Sequence, residues 1–346
     1  MGSLQPVELL KRQYLQLINP EQLTLPPKEL LRSSEIQAQI YHSMFDDSVL
    51  IFAPPERYRF RVLKRLVNAI EEAIVDPEED EISDDISACL AQYMAQPLPS
   101  ATTAAQQRGY VTYTAPKWGT NVPEVTLLEA PSVLAFSGTT GFRTWEAALF
   151  LGAYLVSEAG SRHVTGQRMI ELGAGTGFLS ILCAKYLDAR YVLTTDGSRE
   201  VVAELKANLE LNKLEEGDLI KLTVLEWGHT LIGGPADCRD AGSAYDLAIG
   251  ADVTYDFNSM PALVATIRDL FELYPRLKVL ISATVRNEET VKCFLDACTT
   301  NGFRTTQLDV AESAQDEQTG FFIAPSSPIQ IFLIINQGAR RDPFAT

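Results

Sequence analysis

The stretch MIELGAGTG, Met169–Gly177, decides the fold of this chain. Its apolar run is followed at once by three glycines in five positions, a pattern typical of a buried strand that turns sharply into a helix. Glycine permits the sharp turn and, because it lacks a Cβ, lets a ligand approach the main chain. The stretch therefore predicts a strand, a tight turn and a helix, with a ligand site at the turn.

Strand and helix patterns alternate from this point to the end of the chain. Strands that are separated by helices predict a mostly parallel α/β sheet covered on both faces. No helical pattern separates the last two strands, which predicts an antiparallel pair at one edge. The predicted helices extend to Leu187, over Arg199–Leu211, through Phe271 and to Thr300. The predicted strands are Met169–Leu172, Tyr191–Thr195, Lys221–Leu225, Asp246–Ile249, Val279–Ala283, Phe303–Asp309 and Ile329–Ile335.

The amino-terminal part reads as helical instead. Apolar residues between Tyr58 and Ile74 recur at steps of three and four, which predicts a helix between Pro55 and Pro77. A second helix is predicted from Ser33 to about Met44. We divide the chain into a helical domain (1–105), an α/β domain (106–336) and a flexible tail (337–346).

The boundary between the two domains falls in Leu98–Arg108, which is rich in Ser, Thr, Ala and Gln and is interpreted as a linker. Short strands at Tyr110–Tyr113 and Val125–Leu128 then predict a hairpin, and Arg143–Ser157 is predicted as a helix.

A carboxylate at the end of the second predicted strand strengthens the ligand prediction. Asp196 lies 25 residues after Glu171, where an acid can accept hydrogen bonds from both hydroxyls of a ribose. A dinucleotide-binding turn needs its third glycine at position 178, which here is Phe178, so a pyrophosphate is disfavoured. No phosphate-binding loop with the G-x-x-x-x-G-K-[ST] pattern is present. An adenosine-containing cofactor without a pyrophosphate fits best.

At this point the residues resemble a known family. The glycine turn with Asp196 resembles the motif of the seven-strand, Rossmann-like S-adenosylmethionine-dependent methyltransferases. The segments Thr140–Trp145, Glu226–Trp227 and Ala251–Tyr255 resemble the branch that methylates lysines on folded proteins. Together with the helical amino-terminal extension, Thr284–Thr290 looks most like the subgroup that acts on a lysine of translation elongation factor 2.

The resemblance implies S-adenosyl-L-methionine as cofactor and S-adenosyl-L-homocysteine as product. Carried over by position, Trp145 would contact the methionine end, Asp196 the ribose hydroxyls and Trp227 the adenine. Glu171 would either order the glycine turn or contact the methionine amine. The implied cofactor-binding residues are Trp145, Glu171, Gly173, Ala174, Gly175, Asp196, Trp227 and Ala251.

Asp252 and Tyr255 are the candidate catalytic residues. Methyltransferases that act on bases or on glutamine typically have two prolines before the aromatic residue, and here Val253 and Thr254 replace them. That difference argues against a nucleobase substrate. The lysine nucleophile must be neutral, and a carboxylate such as Asp252 would orient it but would by itself raise its pKa. We expect Tyr255 to form a wall of the lysine channel.

The overall charge limits the possible partners. The 346 residues carry 29 basic and 45 acidic side chains, a net charge of −16, so a direct nucleic-acid partner is not expected. An acidic surface suits a protein partner with basic patches, such as elongation factor 2. The cysteines and histidines lack metal-ligand spacing, and no apolar run of about 18 residues predicts a membrane span. We expect no metal, a cytoplasmic location and a monomer.

Three other functions stay open on the sequence alone. The chain could methylate another protein or a small amine, or it could bind the cofactor without catalysing transfer. A nicotinamide oxidoreductase is disfavoured by the glycine spacing and by the lack of a Tyr-x-x-x-Lys pair.

Overall fold

The computed structural model describes residues 5–115, 122–130, 140–229, 244–310, 320–323 and 327–337. Its amino-terminal part is helical, as predicted. Ser33 begins α3 because its hydroxyl accepts a hydrogen bond from the amide of Ile36. The six helices are α1 Pro6–Leu15, α2 Lys28–Leu31, α3 Ser34–Met44, α4 Glu56–Glu71, α5 Asp84–Ala95 and α6 Ala101–Gln106.

These helices have a hydrophobic core of their own. The apolar stripe predicted from the sequence lies on α4, which buries Val62, Leu63, Leu66, Val67 and Ile70. They pack against side chains of α1 and α3 such as Leu10, Tyr14, Ile40 and Met44. Helices α1 to α5 therefore pack around one shared apolar cluster.

The segment Leu98–Arg108 differs from the prediction of a linker, because it contains α6. Ser100 accepts a hydrogen bond from the amide of Thr103 and so caps this short helix.

A two-stranded antiparallel sheet follows, with β1 at Gly109–Thr114 and β2 at Glu124–Glu129. Two further helices, α7 Glu146–Val156 and α8 Glu158–Ser161, lead into the main sheet. The hairpin and the helix that the sequence predicted are thus present within one to three residues of their predicted bounds.

The main sheet has seven strands in the order β5-β4-β3-β6-β7-β9-β8. Neighbours from β5 to β7 are parallel, and β9 runs antiparallel to both β7 and β8. The predicted antiparallel edge pair is confirmed. The strands are β3 Arg168–Leu172, β4 Tyr191–Asp196, β5 Ile220–Val224, β6 Leu247–Ala251, β7 Lys278–Thr284, β8 Phe303–Leu308 and β9 Ile329–Asn336.

Four helices connect consecutive strands of this sheet: α9 Phe178–Tyr186, α10 Arg199–Leu211, α11 Met260–Leu273 and α12 Glu288–Thr300. One apolar cluster includes α7 and α9, and another includes α11 and α12. The chain runs outward from β3 to β5 on one side and from β6 onward on the other. The reversal at β3 opens a crevice beyond the carboxyl ends of β3, β4 and β6, where such sheets bind ligands.

The amino-terminal helices and the loops between them contact the rest of the chain at defined points. Gln16 donates to the carbonyl of Phe322 at 2.6 Å and accepts from its amide at 3.0 Å. The Phe52 and Tyr110 rings lie 5.2 Å apart. None of the helices in the described ranges is long and apolar enough to cross a membrane.

Candidate active site

A cavity of about 670 Å³ lies at the carboxyl ends of β3, β4 and β6. Its size is in the range of small-molecule and cofactor sites. All ten site residues predicted from the sequence line this one cavity: Trp145, Glu171, Gly173, Ala174, Gly175, Asp196, Trp227, Ala251, Asp252 and Tyr255.

The glycine turn forms part of the cavity wall. Gly173, Gly175 and Gly177 have positive φ angles of 69°, 54° and 82°, which favour glycine. A Cβ on Gly173 would lie 3.0 Å from Val253 Cγ1 and 3.3 Å from the Trp227 ring. The missing Cβ at Gly173 therefore lets Val253 and Trp227 pack close to the turn.

Asp196 joins the end of β4 to this turn. One carboxylate oxygen accepts a hydrogen bond from the Gly175 amide at 3.0 Å, and the other accepts from the Ser198 amide at 3.0 Å. Burial raises the pKa of Asp196, while these amides oppose the rise. Each oxygen keeps a lone pair for a further donor, so the carboxylate fits a ribose with two hydroxyls.

Glu171 is buried at the end of β3. Its carboxyl accepts hydrogen bonds from the Ser180 amide at 3.0 Å and from the Ser180 hydroxyl. Burial, with a smaller contribution from the charge of Asp196, raises the pKa of Glu171 to about 8. The side chain thus orders the first turn of α9 and carries a proton near neutral pH.

Trp145 lies at the start of α7. Its indole N–H donates to the carbonyl of Thr140 at 3.1 Å. The Arg143 and Arg286 guanidinium carbons lie 5.2 Å and 5.3 Å from the ring centroid, in the range of cation–π contacts. The ring is held in place from several sides.

Asp252 follows β6 with a φ of 51°, an uncommon left-handed conformation for a non-glycine residue. Its carboxylate accepts from the Thr284 amide at 2.9 Å and from the Thr284 hydroxyl at 3.1 Å. Arg286 donates to the same carboxylate at 3.2 Å. Tyr255 is 58% exposed, which places it where the cavity meets solvent.

Sequence reasoning missed Arg286 and Arg143 as site residues, although both line the cavity. Arg286 lies in the segment Thr284–Thr290, whose sequence indicated only the family resemblance and no role for a single residue. Because β7 runs parallel to β6, the residues after β7 come next to Asp252. The adjacency of these two strands could therefore have indicated that Arg286 lies near Asp252.

A buried network behind the cavity was also not predicted. The Glu129 carboxylate accepts hydrogen bonds from the Thr144 hydroxyl at 2.6 Å and from the Tyr113 hydroxyl at 3.1 Å. The Thr144 hydroxyl also bonds the Thr176 hydroxyl in the glycine turn. Burial raises the pKa of Glu129 to about 7. The network ties the β1–β2 hairpin to the cavity wall.

No cluster of three or more His, Cys, Asp or Glu side chains in the described ranges could hold a metal ion. The polar lining of the cavity includes the backbone of the glycine turn, several carboxyl groups and the guanidinium groups of Arg143 and Arg286 beside Trp145.

Comparison with known proteins decides the family. A family model described as "Lysine methyltransferase" matches residues 135–301. The protein-lysine N-methyltransferase EFM3 of Chaetomium thermophilum is 45% identical over 321 residues, 92% of this chain and 94% of that protein. This chain belongs to the lysine methyltransferase family. The human protein-lysine N-methyltransferase EEF2KMT is 26% identical over 75% of this chain and 76% of its own length.

Among solved structures, the methyltransferase domain of bacterial CtHen1 is 21% identical, with a TM-score of 0.39, over 56% of this chain and all of that chain. The similarity to EFM3 confirms the predicted family, and the strand order and strand directions of the main sheet confirm the Rossmann-like α/β fold. The enzyme is a protein-lysine N-methyltransferase, and its cofactor is S-adenosylmethionine. The glycine turn that lines the cavity and the two carboxylate oxygens of Asp196 fit this cofactor.

Proposed function

We propose that this enzyme methylates a lysine of translation elongation factor 2. The supporting observation is the similarity to the human enzyme named EEF2KMT over three quarters of the chain. The similarity to EFM3 covers 92% of the chain, a larger share than residues 106–336 make up, so it extends into the helical domain. Similarity in this part as well as in the α/β part supports a common kind of protein substrate for the two enzymes.

We also propose that residues 1–105 recognise the substrate and that residues 106–336 carry out the transfer. The helical domain has its own core and adds no titratable side chain to the cavity. Its contacts through Gln16 and Phe52 fix it against the α/β domain, so that it can present a surface at a constant distance from the site.

Each cavity residue has a proposed role in holding the cofactor. Asp196 would accept hydrogen bonds from the ribose, and Trp227 would flank the adenine. Trp145 would border the methionine end, and Glu171 also lines the cavity. The backbone at Gly173, Ala174, Gly175 and Ala251 shapes the remaining wall. When bound, the cofactor supplies a methyl group on a positively charged sulfur.

The protein then has to align a neutral amine with that methyl group. Lysine has a reference pKa of about 10.4, so roughly one molecule in a thousand is neutral at pH 7.4. The amine has to lose its proton to water before its lone pair is free to react. The bound cofactor would supply the methyl group as its carbon–sulfur bond breaks, and the thioether left behind would be neutral and would need no acid. Asp252 accepts a hydrogen bond from the amine and orients it, while Tyr255 borders its path.

The test uses purified elongation factor 2 from cells that lack this enzyme, with labelled S-adenosylmethionine. We expect label on one lysine, located by mass spectrometry, and at least a tenfold weaker signal with Asp196→Asn at limiting cofactor, because the ribose contacts are worth about 1.5–3 kcal/mol. Asp188→Asn, an exposed aspartate away from the cavity, is the matched control.

Other outcomes identify the alternatives. Label on a different protein in an extract would replace elongation factor 2 as substrate, and label on free amines alone would favour a small-molecule methyltransferase. The proposal also places the enzyme in the cytoplasm, where elongation factor 2 works.

A further inference from the structure

The carboxylate proposed to orient the substrate lysine is already paired with a cation. Arg286 lies 3.2 Å from the carboxylate of Asp252, whose side chain is 7% exposed, whereas that of Arg286 is 44% exposed. Its guanidinium also lies near the Trp145 ring. Arg286 therefore sits between Asp252, an aromatic wall of the cavity and solvent.

The other charged groups around the cavity do not duplicate this contact. Arg143 pairs with Glu146 at 3.0 Å. Among the acidic groups, Asp196 is bonded to backbone amides, Glu171 is protonated near neutral pH, and Glu226 lies beside Trp227. Tyr255 is the remaining titratable group of the lining. Within the described ranges no other basic side chain pairs with Asp252.

The pairing bears on the proton that the substrate must lose. A carboxylate within about 4–6 Å of an amine favours the charged ammonium form and raises its pKa by roughly 1–3 units. A guanidinium on the same carboxylate opposes that effect, because the two charges nearly cancel at the amine. Asp252 can then accept a hydrogen bond from the amine without holding it in the unreactive form.

We propose that Arg286 lowers the pKa of the bound substrate lysine by cancelling the charge of Asp252, and so sets the pH range in which methyl transfer occurs. Arg286 is a positioning residue, since it acts on the nucleophile through Asp252. This inference rests on the proposed role of Asp252 in orienting the lysine.

The test is the pH dependence of single-turnover transfer to elongation factor 2, with enzyme and cofactor in excess, from pH 6.5 to 10. Arg286→Gln is expected to move the rising part of the rate curve about one pH unit higher, with a similar rate at pH 10. Arg286→Lys, which keeps the charge, should stay within about 0.3 units of the parent enzyme. The double variant Asp252→Asn/Arg286→Gln should move the rising part of the rate curve back to the pH of the parent enzyme or to a lower pH. Its maximal rate should be lower, because the orienting carboxylate is lost.

Arg162→Gln is the matched control, because Arg162 is an exposed arginine in an ion pair with Glu158, outside the cavity. Melting temperature and calorimetric affinity for S-adenosylhomocysteine report whether each variant keeps its fold and cofactor site. An unshifted curve for Arg286→Gln, or a shift equal to that of Arg286→Lys, would overturn the inference.

The two proposals fail separately. If the parent enzyme does not label elongation factor 2, that substrate is wrong, and the same pH series is run on the protein that the extract experiment identifies. If the parent labels its substrate but Arg286→Gln loses activity equally at every pH, the charge-cancelling role is wrong while the substrate stands.

Discussion

Glu171 is a carboxyl group enclosed at the end of a central strand, beside the carboxylate of Asp196. Water that would stabilise its charge is excluded, and two hydrogen bonds from Ser180 only partly compensate. Its pKa of about 8 therefore means that folding binds a proton to Glu171 between about pH 4.5 and pH 8.

The proton on Glu171 makes the stability of the protein depend on pH. Because the pKa of Glu171 is raised in the folded state, its contribution to the free energy of unfolding is full below about pH 4.5. This contribution is lost as the pH rises through about 8. Glu171→Gln should reduce the fall of the unfolding free energy over this interval by up to about 1.4 kcal/mol per pH unit. Urea denaturation at a series of pH values measures the slopes.

Two controls accompany this measurement. Glu129→Gln should act in the same direction over a lower interval, because the pKa of Glu129 is about 7. Glu210→Gln, on an exposed face of α10, should leave the slope unchanged. If the unfolding free energies of the parent protein and of Glu171→Gln changed equally with pH over this interval, Glu171 would be ionised in the folded protein.

The structure brings the ten predicted site residues together at one cavity, but the sequence did not indicate which side chains they would contact. Glycines, Asp196 and Asp252 follow strands, and parallel strands end at one edge, so their proximity could be foreseen. The Glu129 contacts join segments that are far apart in the sequence. The pairing of β6 with β7 brings Arg286 near Asp252, but the contact itself depends on the directions of the two side chains. No periodicity encodes those directions.

Two asparagines, Asn208 on α10 and Asn212 at its carboxyl end, hold the β1–β2 hairpin against the main sheet and its helices. Asn212 accepts from the Thr126 amide at 3.1 Å and donates to the Thr126 carbonyl at 2.7 Å. Asn208 accepts from the Leu128 amide at 2.9 Å and donates to the carbonyl of Thr176 in the glycine turn at 2.9 Å. The helix thus supplies side-chain partners along one edge of the hairpin.

We predict that Asn212→Ala destabilises the protein by about 2–4 kcal/mol, because it leaves a buried amide and a buried carbonyl on β2 without their partners. Chemical denaturation measures the loss, and hydrogen exchange at Thr126 should become faster. Asn301→Ala is a close control, since Asn301 ends α12 in the same way but is exposed. Equal effects of the two substitutions would mean that the hairpin contact contributes little.

The elements themselves were largely predictable. The predicted bounds of α10 agree with the structure, and the strands agree within about two residues, because alternating periods and capping residues mark them. Helices such as α1 and α6 were not predicted individually, since short helices are marginal on their own and depend on their packing. The expected tail from 337 onward falls almost wholly outside the described residues.

At the scale of the whole molecule, the net charge of −16 sets how a partner approaches. A surplus of negative charge attracts a basic surface around the target lysine over distances of about 10 Å at 0.1 M salt. We predict that raising sodium chloride from about 50 to about 300 mM increases KM for the protein substrate several-fold and changes kcat less than twofold.

The control is the calorimetric affinity for S-adenosylhomocysteine, which carries no net charge and should respond little to salt. A KM that is constant across this range would show that the acidic surface does not guide the substrate.

Two of the three tryptophans of the chain, Trp145 and Trp227, line the cavity, and the third, Trp118, lies outside the described residues. Indole emission responds to the polarity of its surroundings, and filling the cavity removes water from both rings. The fluorescence of these two tryptophans therefore reports whether the cavity is filled, without an added label. Measuring it while the nucleoside S-adenosylhomocysteine is added would give a binding curve that does not require the protein substrate.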